Sequence, residues 1–273
     1  MKTFLLICSV LFFSFHAGFQ DERTKNFPRA VELVADVPSK KTIWVFLMAG
    51  QSNMAGRGQV EPTDTLSNKR IFSINAANQL VYAKEPLHFY EPTRTGLDCG
   101  LSFAQNLLPV IPPDVHILLI PTAIGGSSIS QWLGDSSYRG VKLLSNFREK
   151  MQLGKTFGEI KAVLWHQGES DAKKALIPLY QQRLGELFAM FRKMSGNSQL
   201  PVLMGELGSY SSDPYNWQGI NDVLHRYAQT DKHSAVISTS TLVHRGDTVH
   251  FNSEGQRLMG ARFAEMYRMK FGK

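Results

Sequence analysis

Five short runs dominated by apolar residues stand out along the chain, at residues 42–48, 115–120, 160–165, 200–204 and 234–238. The first, Thr42-Ile43-Trp44-Val45-Phe46-Leu47-Met48, is apolar without a break after Thr42, the pattern of a strand covered on both faces. Each run ends in Gly, Ser or polar residues. Between the runs the apolar spacing changes to three and four, the period of a helix with one buried face. Leu144, Phe147 and Met151 mark such a helix over 141–153, and Leu176, Tyr180, Leu184, Leu187, Phe188 and Phe191 trace a stripe on the next. Shorter helices are predicted over 101–110 and 216–228. A last one starts at Ser253, where Gln256 three residues on has the spacing of a capping box, and presents Leu258, Met259, Phe263, Met266 and Tyr267. Strands alternating with helices predict an α/β layered fold with a parallel sheet. Two long irregular stretches, 50–100 and 206–215, are loops of the length that serves function or is disordered. No repeat or linker divides the chain, so one domain is expected over 41–273, after an exposed polar lead-in at 21–40.

Composition narrows the class. With 273 residues, 43% hydrophobic and 19% charged, the chain is an ordinary globular protein; disorder, collagen and coiled coil are excluded. Thirty Lys+Arg against 23 Asp+Glu give a net charge of +7. No run of five basic residues concentrates it, so the charge reads as a solubility property and not as a nucleic-acid footprint. Lys2 precedes an apolar stretch at residues 4–13, shorter than the roughly 20 residues of a membrane span. Residues 1–20 therefore read as a signal peptide, cut between Ala17 and Gln20, with an uncleaved anchor as the alternative. Export to periplasm or medium is the expectation, with no stable membrane partner. Cleavage removes Cys8 and leaves Cys99 alone, so no internal disulfide forms, and Cys99 reads as a small apolar filler. Nothing in the chain points to a metal or cofactor, and nothing in its pattern sets an oligomeric state.

In an open parallel sheet ligands bind beyond the carboxyl ends of the strands, where four polar clusters lie. These are Gly50-Gln51-Ser52-Asn53-Met54, Ala123-Ile124-Gly125-Gly126-Ser127, His166-Gln167-Gly168-Glu169-Ser170-Asp171, and Asp247 with His250 three residues later. Alone, Ser52 is an ordinary turn residue and Gly125-Gly126 a tight turn. Together they supply the parts of one machine: a hydroxyl nucleophile, an imidazole base and a carboxylate that holds the base's tautomer. The N–H groups of Ser52 and Gly126, with the Gln167 amide, are the expected oxyanion donors, each worth about 3 kcal/mol in a transition state. The Gly-x-Ser-x-Gly elbow of α/β-hydrolases is absent, since Met54 takes its fifth position.

These four blocks, in order from about Thr42 to Tyr267, resemble the SGNH hydrolase superfamily. Within it they are similar to the sialate O-acetylesterase and acetylxylan esterase branch, carbohydrate esterase family six. The resemblance implies a flavodoxin-like three-layer α/β/α sandwich with about five parallel strands. It also implies hydrolysis of O-acetyl esters on carbohydrate through an acetyl-enzyme, without cofactor. Carried over, Ser52 is the nucleophile, His250 the base, and Ser52, Gly126 and Gln167 the oxyanion hole. Two residues compete to orient His250. Asp247 is close in sequence, which makes the contact cheap in entropy; Glu169 fills that role in the arrangement some members resemble. Gln51, Asn53 and Trp132 are the expected substrate contacts, with Tyr210 or Trp217 as further candidates to stack on a sugar and core aromatics as the alternative. Arg57 reads as a surface arginine. The competing functions are hydrolysis of other short esters and a silent carbohydrate-binding relative.

Overall fold

A computed structural model describes residues 22–272; the signal-peptide expectation lies outside them. The chain forms a seven-stranded sheet flanked by helices. In chain order its principal elements are β1 (Ile43–Gly50), the one-turn α1 (Ser52–Ala55), β2 (Ile71–Ile74), β3 (Leu80–Tyr82), α2 (Gly100–Leu107), β4 (His116–Pro121) and α3 (Ile129–Leu133). There follow a hairpin of two-residue strands, β5 (Ser137–Tyr138) and β6 (Val141–Lys142), then α4 (Leu143–Phe157), β7 (Glu159–His166) and α5 (Ile177–Ser195). The last are β8 (Val202–Gly205), α6 (Pro214–Thr230), β9 (Ser234–Ile237) and α7 (Ser253–Phe271).

The sheet order is β3-β2-β4-β1-β7-β8-β9, with every neighbouring pair parallel except β2 and β3. The five apolar runs are β1, β4, β7, β8 and β9. The two further strands lie inside the stretch read as a loop. They are four and three residues long and occupy one edge, too short to show a period. Along β1 the pleat sends Val45, Leu47 and Ala49 into a core beneath α3–α6, and Phe46 and Met48 into a second core beneath α2 and α7. Both faces are covered, which is why the run carries no alternation.

The segment before β1 is largely exposed but docked. Val34 N–H bonds Leu80 O at 3.1 Å, Tyr82 N–H bonds Glu32 O at 2.9 Å, and the Arg23 guanidinium reaches Thr95 O at 2.6 Å. The start of α7 differs from expectation by one residue. The helix is capped by Asn252, whose side chain accepts from Gly255 N–H at 2.8 Å. Ser253 and Gln256 instead bond Gln59 O and Asn53 O. Among the described residues no helix is long and apolar enough to cross a membrane.

Candidate active site

The parallel strands end on one edge, and there the four clusters meet. β1 runs into Gln51 and Ser52, β4 into Gly125 and Gly126, and β7 into Gln167–Asp171. The segment from β9 to α7 carries Asp247 and His250. Gly50 makes the first turn possible. Its φ is +134°, and a side chain there would strike His166 O, the carbonyl that accepts Gln51 N–H at 2.9 Å.

Ser52 Oγ lies 3.0 Å from His250 Nε2, and His250 Nδ1 lies 2.8 Å from Asp247 Oδ2. The other Asp247 oxygen accepts the N–H groups of His250 at 2.8 Å and Val249 at 3.0 Å, so one carboxylate fixes both ring and backbone. Burial works against the Asp247 charge, but the bonds from His250 and Val249 outweigh it and hold the carboxyl below its usual range. A charged carboxylate accepts from Nδ1–H and leaves Nε2 free to receive the serine proton. Of the two acids expected to compete for His250, Asp247 makes the contact. Glu169 faces Asn53, whose Nδ2 it accepts at 2.6 Å.

The Gln167 expectation is corrected. Its side chain is fully buried, and Nε2 is directed at Asp171 Oδ2 (2.7 Å), Gln51 Oε1 (3.1 Å) and Ser127 O (3.2 Å). Its carbonyl oxygen accepts the Tyr180 hydroxyl at 2.7 Å. An amide with two hydrogens and three acceptors has nothing left for a substrate. Gln51 is the neighbouring side chain that keeps a free donor. Its Oε1 accepts from Gln167 and from Ser170 N–H at 3.3 Å, which fixes the amide and leaves Nε2 without a protein acceptor among the described residues. The N–H groups of Ser52 and Gly126 are likewise unbonded among them. The Gly126 peptide is held by Ser170 Oγ on its carbonyl at 3.0 Å, with φ at +83°.

Two expected substrate contacts are also corrected. Asn53 is fully buried and bonds Glu169, Val249 O and Phe251 N–H. Trp132 is fully buried, donates Nε1–H to Ser127 Oγ at 3.0 Å, and packs edge-on against Trp165, Phe147 and Phe191. Trp217 is buried against Tyr210, and Cys99 is buried in the core beneath α2 and α7. Large aromatic side chains just after a strand look alike in sequence whether they face inward or outward.

Arg57, a surface arginine by its sequence context, is in fact buried, 2.8 Å from Glu91. Glu91 also accepts Gly125 N–H at 2.7 Å and pairs with Arg139. A side chain on Gly126 would meet Tyr138 OH at 3.0 Å and Arg139 Nη2 at 3.7 Å, so the β5–β6 hairpin borders the site. Neither Arg139, Tyr138 nor Glu91 belongs to a recognisable block. Only the charge pairing across distant loops marks them, and one chain does not display that. Among the described residues no group of three or more His, Cys, Asp or Glu is placed to hold a metal ion.

An α/β/α sandwich with this sheet order and these blocks is the SGNH hydrolase type, in its carbohydrate esterase branch. The chain belongs to the carbohydrate esterase, sialic acid-specific acetylesterase family, whose model matches residues 42–269. It is 27% identical over 260 residues to the probable carbohydrate esterase At4g34215 of Arabidopsis thaliana, covering 88% of this chain and 95% of that one. The X-ray structure of At4g34215 superposes with a TM-score of 0.73 at 26% identity, over 84% of this chain and 98% of that one. NanS (TM-score 0.69, 18% identity, 85% and 98% covered) shares the fold. So does XAC1771, a carbohydrate acetylesterase from Xanthomonas citri (TM-score 0.65, 17% identity, 85% and 57% covered).

Proposed function

We propose that this protein is an exported carbohydrate O-acetylesterase working through a serine acetyl-enzyme. The observation that carries the reading is the unbroken contact chain Ser52–His250–Asp247 beside three unspent donors, Ser52 N–H, Gly126 N–H and Gln51 Nε2. Ser52 Oγ attacks the acetyl carbonyl while its proton passes to His250 Nε2. Asp247 stabilises the imidazolium, and the three donors face the oxyanion of the tetrahedral intermediate. Collapse expels the sugar oxygen, which leaves with the proton from His250. Water, deprotonated by His250, then attacks the acetyl-serine and releases acetate.

The charge on the Gly125-Gly126 side of the site, across from Asp247 and Glu169, favours an acetylated sugar that carries a carboxylate, as a sialic acid does, over neutral acetylxylan. Arg57 and Arg139 share one carboxylate, Glu91, directly beside Gly125 and Gly126, which leaves an excess of positive charge where the sugar would sit. The apolar run at residues 4–13 behind Lys2 supports export. Acetate release from O-acetylated sialic acid and from acetylated xylan, measured side by side, tests the function and the preference together.

A further inference from the structure

We propose that Glu169 is a positioning residue for His250, acting through Asn53 by dictating which way the Asn53 amide faces. This rests on the acetylesterase reading of the same site.

Asn53 follows the serine directly and is fully buried. Its Nδ2 donates to Glu169 Oε1 at 2.6 Å and to Val249 O at 3.1 Å, and its Oδ1 accepts Phe251 N–H at 3.0 Å. Val249 and Phe251 are the two neighbours of His250 in the chain. One side chain therefore grips the backbone on both sides of the imidazole, from the loop that bears Ser52.

That grip works in one orientation only. Turning the amide by half a rotation exchanges oxygen and nitrogen at almost no steric cost, but sets NH2 against Phe251 N–H and oxygen against Val249 O. Both backbone bonds would be lost, with two repulsive contacts in their place. A carboxylate only accepts, so Glu169 opposite Nδ2 forbids the turned state. Glu169 has no bond to His250. Its Oε1 also lies 3.8 Å from His166 Nδ1, on a ring whose Nε2 lies 2.9 Å from Glu206 O. Burial first of all lowers the His166 pKa, which keeps that ring neutral and denies Glu169 a cationic partner. Glu169 Oε2 is buried with no hydrogen-bond partner among the described residues. A buried carboxylate in such surroundings costs stability, as expected of a group that serves the site and not the fold.

The test is steady-state hydrolysis of 4-nitrophenyl acetate by Glu169→Ala, Glu169→Gln, Asn53→Ala and the Ala double variant. Losing this alignment should lower kcat by roughly 30-fold in each single Ala variant, with KM within about twofold. The double variant should be no worse than Asn53→Ala alone, because both residues act along one path. Glu169→Gln still offers an amide oxygen to Nδ2 and should recover to within about fivefold, with the pH profile of kcat superimposed on that of the unaltered enzyme. Losses that multiply, or full activity in Glu169→Ala, overturn the proposal. So does a Glu169→Gln variant as inactive as Asp247→Asn with a displaced pH profile, which would put the carboxylate to work on His250 itself. If Asn53→Ala does not fold, the Ala and Gln variants at Glu169 decide between them. A crystal structure of Glu169→Ala reads the same relay without activity. A shifted 249–251 segment is expected, and an unmoved His250–Ser52 contact refutes it. Ester hydrolysis that survives Ser52→Ala strikes the acetylesterase reading instead.

Discussion

Gln167 directs its side-chain amide at Gln51 Oε1 from 3.1 Å, and this contact orients the Gln51 amide with its own donor left unspent. The third-block residue is a strut and the first-block residue is the one left with a hydrogen to offer. Gln51→Glu, which keeps the shape and the acceptor but removes the donor, should lower kcat by about 100- to 1,000-fold. Gln167→Leu should behave differently. It takes one bond from the Asp171 carboxylate, which keeps Ile129 N–H, and one from the Tyr180 hydroxyl, which keeps the Gln167 main-chain oxygen; calorimetry should show a loss of about 2–3 kcal/mol.

Asp247→Asn can present NH2 to His250 Nδ1 and so stabilise the wrong ring tautomer. Its kcat should fall by about 10,000-fold, the scale of such losses in serine hydrolases, with little change in melting temperature. Near-normal turnover in this variant would remove Asp247 from the catalytic chain.

Glu91 gives a pH-dependent prediction. Burial pushes its carboxyl up, but the Arg57 charge and hydrogen bond, the Gly125 N–H and Arg139 together bring it below its usual value. A folded pKa lower than the unfolded one stabilises the protein above the unfolded pKa, and that stability is lost as pH falls through the folded value. Compared with Glu91→Gln, the unaltered protein should be more stable by about 3 kcal/mol at neutral pH, with the gap closing as the pH falls below the ordinary carboxylate range. Denaturant unfolding at a series of pH values measures it.

The α/β class and five of the seven strands are legible in the sequence because each rests on a local pattern; Ser52, His250 and the two competing acids Asp247 and Glu169 are legible as blocks and through the resemblance these carry, while the choice of Asp247 comes from the structure. A strand covered on both faces is a run of apolar residues, and the Asp247–His250 contact spans three positions. What is not legible depends on packing between distant segments. β2 and β3 are edge strands too short to show a period. Whether Trp132 faces core or solvent is set by packing against Trp165 and Phe191, from other elements. Whether Gln51 or Gln167 has a hydrogen to spare turns mostly on partners 40 to 119 positions away. The burial of Arg57 is hidden for the same reason, since Glu91 lies 34 residues further on.

Trp132 separates core from binding roles by experiment. Trp132→Ala should cost about 3–5 kcal/mol of stability, as for other buried aromatic deletions. At a temperature where the variant is folded, its KM for an acetylated sugar should stay within about twofold. A large rise in KM with unchanged stability would return Trp132 to the substrate.

Arg139 tests the charge preference. Arg139→Gln should reduce kcat/KM for O-acetylated sialic acid by about tenfold, the worth of one charged contact at a half-exposed position, and leave 4-nitrophenyl acetate nearly unaffected. Equal losses on both substrates would mean that the arginine supports the Gly125-Gly126 loop and does not read the sugar.

The most direct test of the mechanism is acetate release by residues 21–273 from O-acetylated sialic acid, with Ser52→Ala alongside. Release by the unaltered protein that falls by about a millionfold in the variant is the predicted result. Release that survives the loss of the Ser52 hydroxyl, in a protein shown to be pure and folded, would contradict it.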